Sequence, residues 1–347
     1  MFRDISLRDL MEVHSAGAHT LIDVRSPKEF SEASIPGSLN IPVFDDDERA
    51  EVGTIYKKVG QAEAKKRGLE IFSAKLPDFI GQFQAIETPM TVFCWRGGMR
   101  SKTAATVLDL MGIHANRLTG GIRTYRQWVV EQLEQMDYKP ELIVLNGYTG
   151  SGKTVILHKL AAAGQPTVDL ERLAGHRGSI FGQIGLKANN QKNFESLLLH
   201  ELKRTAAEPY VFIEGESKRI GKVTMPGFLY DKKESSRQLI IRLPIEERVR
   251  LTLDDYKPWE QPGQFTHAFE QIRRRIHVPI AKEIGTALED RDYETATLLL
   301  LEHYYDPRYR YSTGKVEDEL KTVIDAATVD EAFEKVLAWT AEYRKRK

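Results

Sequence analysis

Glu141-Leu142-Ile143-Val144-Leu145-Asn146-Gly147-Tyr148-Thr149-Gly150-Ser151-Gly152-Lys153-Thr154 joins a short apolar run to a glycine-rich loop. Val155-Ile156-Leu157-His158-Lys159-Leu160-Ala161-Ala162-Ala163 follows and predicts a helix. The loop fits G-x-x-x-x-G-K-[ST], and strand, glycine loop and helix are the context that gives this motif its meaning. Gly147, Gly150 and Gly152 let backbone N–H groups of the loop, with Thr149 and Ser151, turn toward phosphate oxygens. The helix start adds the positive end of its dipole. Lys153 is placed to reach a terminal phosphate, and Thr154 could hold a Mg²⁺. The motif therefore predicts a parallel α/β domain that binds a polyphosphate, without saying which one.

The 347 residues leave room for two or three domains. With 41% hydrophobic and 29% charged residues the chain falls in the ordinary globular class. No apolar run is long enough to span a membrane, and the N-terminus lacks an apolar signal core, so a cytoplasmic protein is expected. One cysteine excludes an intrachain disulfide framework. The formal net charge is zero, so any nucleic-acid site must be a local patch.

Upstream of the loop, residues 7–16 predict a short helix and Thr20-Leu21-Ile22-Asp23-Val24 a buried strand. Ser26 and Pro27 suit the N-cap and first turn of another helix. Residues 45–75 are rich in charge and predict a partly helical excursion. Pro89-Met90-Thr91-Val92-Phe93 is an apolar strand that runs directly into Cys94.

Cys94-Trp95-Arg96-Gly97-Gly98-Met99-Arg100-Ser101 is the second chemical centre. A cysteine at a strand end starts a glycine loop, and a helix is expected from near Ser101. Loop N–H groups, the helix dipole, Arg96 and Arg100 would each favour a thiolate and an oxyanion beside it. The five residues between Cys94 and Arg100 also match a phosphatase-type loop, so loop length alone leaves the transferred group open. Gly120-Gly121 starts an amphipathic helix in which Tyr125, Trp128 and Val129 are expected to pack in the core. Residues 136–140 read as a short linker, dividing the chain into 1–137 and 138–347.

Downstream, Thr167-Val168-Asp169 predicts a strand ending in an acid. The segment from Leu170 to Gly182 shows little helical pattern, and its His176, Arg177 and Ser179 form a candidate substrate loop. Pro209-Tyr210-Val211-Phe212-Ile213 leads into Glu214-Gly215-Glu216. Asp169, Glu214 and Glu216 are all candidate carboxylates for organising Mg²⁺ or acting as a base, and the pattern does not choose among them. Arg237 to Leu243 predicts another strand, and the remainder is mostly helical. There, Arg273, Arg274, Arg275, Tyr305 and Arg308 are candidates for contact with RNA phosphates and unstacked bases. The tail 344–347 adds a basic end.

Two resemblances follow from these residues. Residues 1–137 resemble a rhodanese-like domain, through Asp23-Val-Arg-Ser-Pro-x-Glu-Phe30, Ile35-Pro-Gly-x-x-Asn-Ile-Pro42 and the Cys94 loop. The whole chain resembles the tRNA 2-selenouridine synthase family. That likeness rests on the two loops, on Asp169-Leu-Glu-x-Leu-Ala-x-His-Arg-Gly-Ser179 and on Tyr304-Tyr-Asp-Pro-x-Tyr309. The resemblance implies an N-terminal rhodanese-like α/β domain and a P-loop NTPase-like parallel-sheet domain with a helical C-terminal part. It implies action on wobble 2-thiouridine of tRNA. The P-loop domain would attach geranyl from geranyl diphosphate to sulfur. Selenium from selenophosphate, carried on Cys94 as S-selanylcysteine, would then replace the S-geranyl group. No tightly bound cofactor, no membrane partner and a monomeric chain are expected. Two other readings stay open at this point: an ATP-dependent sulfurtransferase, and a non-catalytic rhodanese and nucleotide-binding module. The chain lacks an N-K-x-D guanine motif, which disfavours GTP.

Overall fold

A computed structural model describes residues 2–15, 19–313 and 318–345, with the backbone alone for 14, 15 and 310–313. The expected helix end at Ala16 and the basic residues Arg346 and Lys347 lie outside the described residues. The chain divides into two compact units, Met1–Gln135 with Glu195–Leu197, and Met136–Phe194 with Leu198–Lys347.

The first unit runs β1 (Asp4–Ile5), α1 (Leu7–Ser15), β2 (Thr20–Asp23), α2 (Pro27–Glu32), β3 (Leu39–Asn40), α3 (Asp46–Lys58), α4 (Gln61–Gln84), β4 (Met90–Phe93), α5 (Met99–Leu110), β5 (Ala115–Leu118) and α6 (Gly121–Glu134). Its strands form a parallel sheet in the order β1-β5-β4-β2-β3. Crossover helices cover such a sheet, so β4 is buried along its whole length. The architecture is that of a rhodanese-like α/β domain. Ser26 and Glu29 close a reciprocal capping box on α2, with Pro27 at its start. Tyr125 and Val129 are buried on α6, and Trp128 is half-buried.

The charged excursion is two full helices. Asp45 caps α3, whose first turn is acidic and whose last turn carries Lys57 and Lys58. α4 runs on to Gln84, past the expected limit and through Pro77. Pro77 removes one helical hydrogen bond, but Phe72, Phe79, Ile80 and Phe83 are buried on one stripe and hold the helix together.

The second unit runs β6 (Glu141–Gly147), α7 (Lys153–Ala162), β7 (Thr167–Val168), α8 (Leu170–Ala174), α9 (Gln191–Arg204), β8 (Tyr210–Glu214), β9 (Arg219–Ile220), β10 (Val223–Thr224), α10 (Gly227–Glu234), β11 (Arg237–Arg242), α11 (Ile245–Tyr256), α12 (Pro262–Ile272), α13 (Val278–Glu289), α14 (Tyr293–Leu300), α15 (Asp306–Thr313), β12 (Lys321–Asp325) and α16 (Val329–Lys345). The main sheet is parallel, in the order β12-β11-β6-β8-β7. β6 has β8 on one side and β11 on the other. Connections from a strand so placed leave in opposite directions and open a crevice at its C-terminal end. Residues 147–152 occupy that end. A helical cluster built on Phe265, Phe269, Ile272, Ile284 and Leu300 forms a separate core.

Four elements depart from the expectation. β12 adds an edge strand that apolar pattern alone did not mark, because only Ile324 of its five residues is buried. β9 and β10 pair antiparallel in a small hairpin. Leu170–Ala174 is helical, started by Asp169, whose carboxylate accepts from Arg172 N.

Candidate functional site

In the first unit, β4 delivers Cys94 to the C-terminal edge of the sheet with its side chain 3% exposed. Gly97 sits at φ +65°, and a Cβ there would lie 2.9 Å from Gly120 N and from Leu118 O. Gly121, at φ +61°, would set a Cβ 2.2 Å from Cys94 O. Side chains at either position would push the loop off α6. The close approach lets Ile122 N donate to Cys94 O at 2.9 Å and Arg123 N donate to Trp95 O at 3.0 Å. The next helix, α5, starts at Met99 without a side-chain cap, so its first N–H groups remain for an anion.

Ser101 Oγ lies 3.2 Å from Cys94 Sγ and can donate to a thiolate. Arg100 is half-buried and gives two hydrogen bonds to Glu29, at 2.5 and 3.1 Å. Burial acts to raise the Glu29 pKa, but the Arg100 hydrogen bond and charge, with Arg49, outweigh it and hold the carboxyl below its usual range. Arg100 is therefore tied to α2, whereas Arg96 is exposed. Beneath them, buried Arg25 forks onto buried Asp23 and lies 5.9 Å from the ring of Trp95, itself 41% exposed.

In the second unit, Gly147, Gly150 and Gly152 all have positive φ, at 154°, 77° and 72°. A Cβ on Gly150 would meet Thr252 Oγ1 at 2.6 Å and Arg248 O at 2.8 Å. Lys153 Nζ donates to Gly147 O at 3.2 Å, folded over the loop where a phosphate would draw it outward. Ser151 Oγ is buried and has no hydrogen-bond partner among the described residues. The loop is braced from the helical cluster. Arg248, 4% exposed, donates from Nε to Thr149 O at 3.0 Å and forks onto Asp306 at 2.6 and 3.0 Å. Its guanidinium lies 4.9 Å from the ring of Tyr148, which packs on Tyr309. Tyr309 also donates to Asn146 Oδ1 at 3.2 Å. The Tyr304 to Tyr309 motif thus supports the P-loop through Asp306 and Tyr309, two residues that sequence reasoning quoted without giving them a role.

The structure gathers the candidate acids and adds one. Thr154 Oγ1 donates to Glu171 Oε2 at 2.9 Å. Glu171 stands in the quoted Asp-Leu-Glu stretch, and the signal that could have found it is its place just beyond the acid-terminated strand. Burial, reinforced by Glu216 and opposed by Lys153, pushes the Glu171 pKa up to about 8. Glu214, 1% exposed, accepts from Leu170 N and Glu171 N through Oε2, while its buried Oε1 has no partner among the described residues. Burial, then the charges of Asp169, Glu171 and Glu216, raise its pKa well above the carboxylate range. Asp169 is engaged with His158 at 2.7 Å and with the start of α8. Glu216 packs on Gly178, where a Cβ would fall 2.1 Å from its Oε2.

The 176–182 loop holds itself together with the side chains singled out from sequence. His176 is buried against Gly221 and accepts from Gly178 N, and burial, then Arg177 and Lys222, lower its pKa. Arg177 bonds Ile184 O and pairs with Asp255 at 2.9 Å. Ser179 Oγ lies 2.9 Å from Tyr256 OH. Of the RNA candidates, Arg273, Arg274 and Arg275 are exposed in one turn between α12 and α13, with Arg273 paired to Glu270. Arg308 is exposed and lies over the ring of Tyr304. Tyr305 is half-buried, and burial raises its pKa well above the usual tyrosine value.

Residues 140–344 match the family model described as the tRNA 2-selenouridine synthase AAA domain, and residues 6–127 match the rhodanese-like domain. A tRNA 2-selenouridine synthase from Hydrogenovibrio crunogenus is 35% identical over 326 residues, covering 85% of this chain and 89% of the relative. The synthase of that name from Bdellovibrio bacteriovorus is 37% identical over 356 residues, covering 90% and 93%. A solved rhodanese-related protein from Thermoplasma volcanium is 22% identical, with a TM-score of 0.24, covering 37% of this chain and 93% of that one.

Proposed function

Because the chain belongs to the tRNA 2-selenouridine synthase family, we propose that it makes 2-selenouridine at the wobble position of tRNA in two steps shared between its two loops. Sulfur at C2 of 2-thiouridine is a poor leaving group, and alkylating it makes a better one. The P-loop domain would bind geranyl diphosphate, whose allylic C–O bond breaks as sulfur attacks. Negative charge then grows on the diphosphate. Lys153 and the N–H groups of residues 147–152 would stabilise it. In the second step Cys94 would handle selenium from selenophosphate, with Ser101 holding the thiolate and the start of α5 holding the phosphate.

The oxygen donors beside Lys153 fit a Mg²⁺, which prefers few protein ligands and keeps water or phosphate oxygens. Thr154 and Glu171 would hold it, since Thr154 Oγ1 already sits on Glu171. Bound there, the ion would supply further positive charge to the diphosphate.

The single observation that carries this reading is the pairing, in one chain, of a strand-end thiol loop with a braced P-loop. The test is mass spectrometry of nucleosides from thiolated tRNA incubated with the protein and geranyl diphosphate, with and without selenophosphate. A geranyl adduct that becomes 2-selenouridine only with selenophosphate is the expected result. No adduct, with ATP consumed in its place, would make the P-loop a nucleotide site.

A further inference from the structure

The excursion that rhodanese-like patterning left without a role builds a groove. α3 and α4 and the first turns of α5 enclose a cavity of about 800 Å³ within the first unit. Phe44, Val52, Leu69, Phe72 and Met99 give it apolar walls. Several of these walls face water: Leu69 is 67% exposed, Met99 54% and Tyr56, also on the groove, 58%. Exposed apolar side chains gathered around one concavity mark a ligand site. The groove ends on Met99 and Arg100, the start of the helix that follows the Cys94 loop. Lys57 and Lys65 are exposed on its lining.

We propose that this groove holds the geranyl chain of S-geranyl-2-thiouridine while selenium replaces sulfur at C2. The proposal rests on the two-step reading above and places the ten-carbon tail beside Cys94 during the second step. Three observations select this occupant. The walls are apolar, as the chain is. The volume lies in the range of about 300–1,000 Å³ that takes small ligands. The lysines supply positive charge where the RNA backbone attached to the chain must pass. In the step itself a C2–Se bond forms and the C2–S bond breaks. Sulfur leaves with the bonding pair and takes a proton, giving geranylthiol. Selenophosphate supplies selenium at the selenide level, its P–Se bond being hydrolysed to phosphate; selenium held beside Cys94 as selenide, without an Se–S bond, makes the balance with no outside oxidant or reductant. A chain gripped in the groove would fix the direction in which the C2–S bond breaks.

The test uses the full chain, selenophosphate and two anticodon stem-loop RNAs carrying S-geranyl- or S-methyl-2-thiouridine. Wild-type protein should show a KM for the geranyl RNA about tenfold below that for the methyl RNA, since a buried chain adds apolar contact that methyl lacks. Ala50→Trp fills the groove from an exposed position on α3, and Leu69→Asp puts charge on its wall. Each variant is checked for folding by its thermal melt, and each should bring the KM ratio close to one. Equal KM values in the wild type, or an unchanged ratio in both variants, would overturn the groove assignment while leaving the two-step reading intact. Selenation of neither RNA by the wild type would remove that reading and the assignment with it.

Discussion

The Cys94 loop and the P-loop are built on one backbone plan and place different side chains at its ends. Each follows a buried parallel strand, turns through glycine at positive φ, Gly97 in the first and Gly147, Gly150 and Gly152 in the second, and ends at a helix start. At residues 94–98 the strand runs straight into the Cys94 thiol. At residues 147–152 the strand end is glycine, and the charge sits on Lys153 at the first helical position. The surroundings differ accordingly. The thiol has Arg25, Arg96 and Arg100 near its loop, whereas Lys153 acts on half-buried Glu171, which neighbours buried Glu214. Arginines stand around the first loop, and carboxyl groups whose burial and mutual repulsion raise their pKa stand around the second. A common loop geometry thus fixes where a ligand sits, and the few residues at its two ends decide the chemistry.

The largest effects are expected at Cys94 and Lys153. Cys94→Ser should lower selenation by about a thousandfold or more and leave geranylation running. S-geranyl-2-thiouridine should accumulate, and full selenation in that variant would take Cys94 out of the mechanism. Lys153→Ala should lower geranylation by about a hundredfold. Selenation of RNA already geranylated should continue, so loss of both activities would deny the division of labour.

Smaller effects are expected from the residues around them. Asp306→Ala leaves buried Arg248 without its fork and should cost the second unit about 3 kcal/mol in denaturant unfolding. Geranylation should fall with it because Arg248 braces Thr149; an unaltered unfolding midpoint would deny the brace. Glu171 supplies a pH test. Its folded pKa, about 8, lies above that of an unfolded glutamate, so the fold binds the extra proton between about pH 4.5 and 8. Stability from this group is present below that window and is lost as pH rises through it. Glu171→Gln should therefore recover up to about 4 kcal/mol at pH 9 relative to pH 5, with Glu214 still contributing its own slope. A parallel loss in both proteins would assign the slope elsewhere. Least of all, Arg274→Glu with Arg275→Glu should raise the tRNA Kd about fivefold and flatten its salt dependence. An unchanged Kd would make that turn an ordinary solvated surface.

Both strand–loop–helix sites were legible in sequence because their signals are local. A run of apolar residues, spaced glycines and a terminal Cys or Lys lie within 15 residues of one another, and backbone geometry does the rest. The rhodanese-like and parallel-sheet architectures followed from the same strands. Elements were lost where packing overruled pattern. α4 crosses Pro77 because its phenylalanine stripe is buried, and β12 exists because β11 offers an edge to a segment with one buried residue.

The site itself was legible only in part. Sequence determined which atoms could react: one thiol, one P-loop lysine, one helix-start threonine. Tertiary structure decided which neighbours tune them. Glu171 reaches Thr154 across 17 positions, Glu29 takes Arg100 across 71, and Arg248 meets Thr149 across 99. It also turned His176, Arg177 and Ser179 inward to hold their own loop. Burial and the pairing of distant charges set pKa values and side-chain availability, and both depend on how the chain packs on itself rather than on the order of its residues.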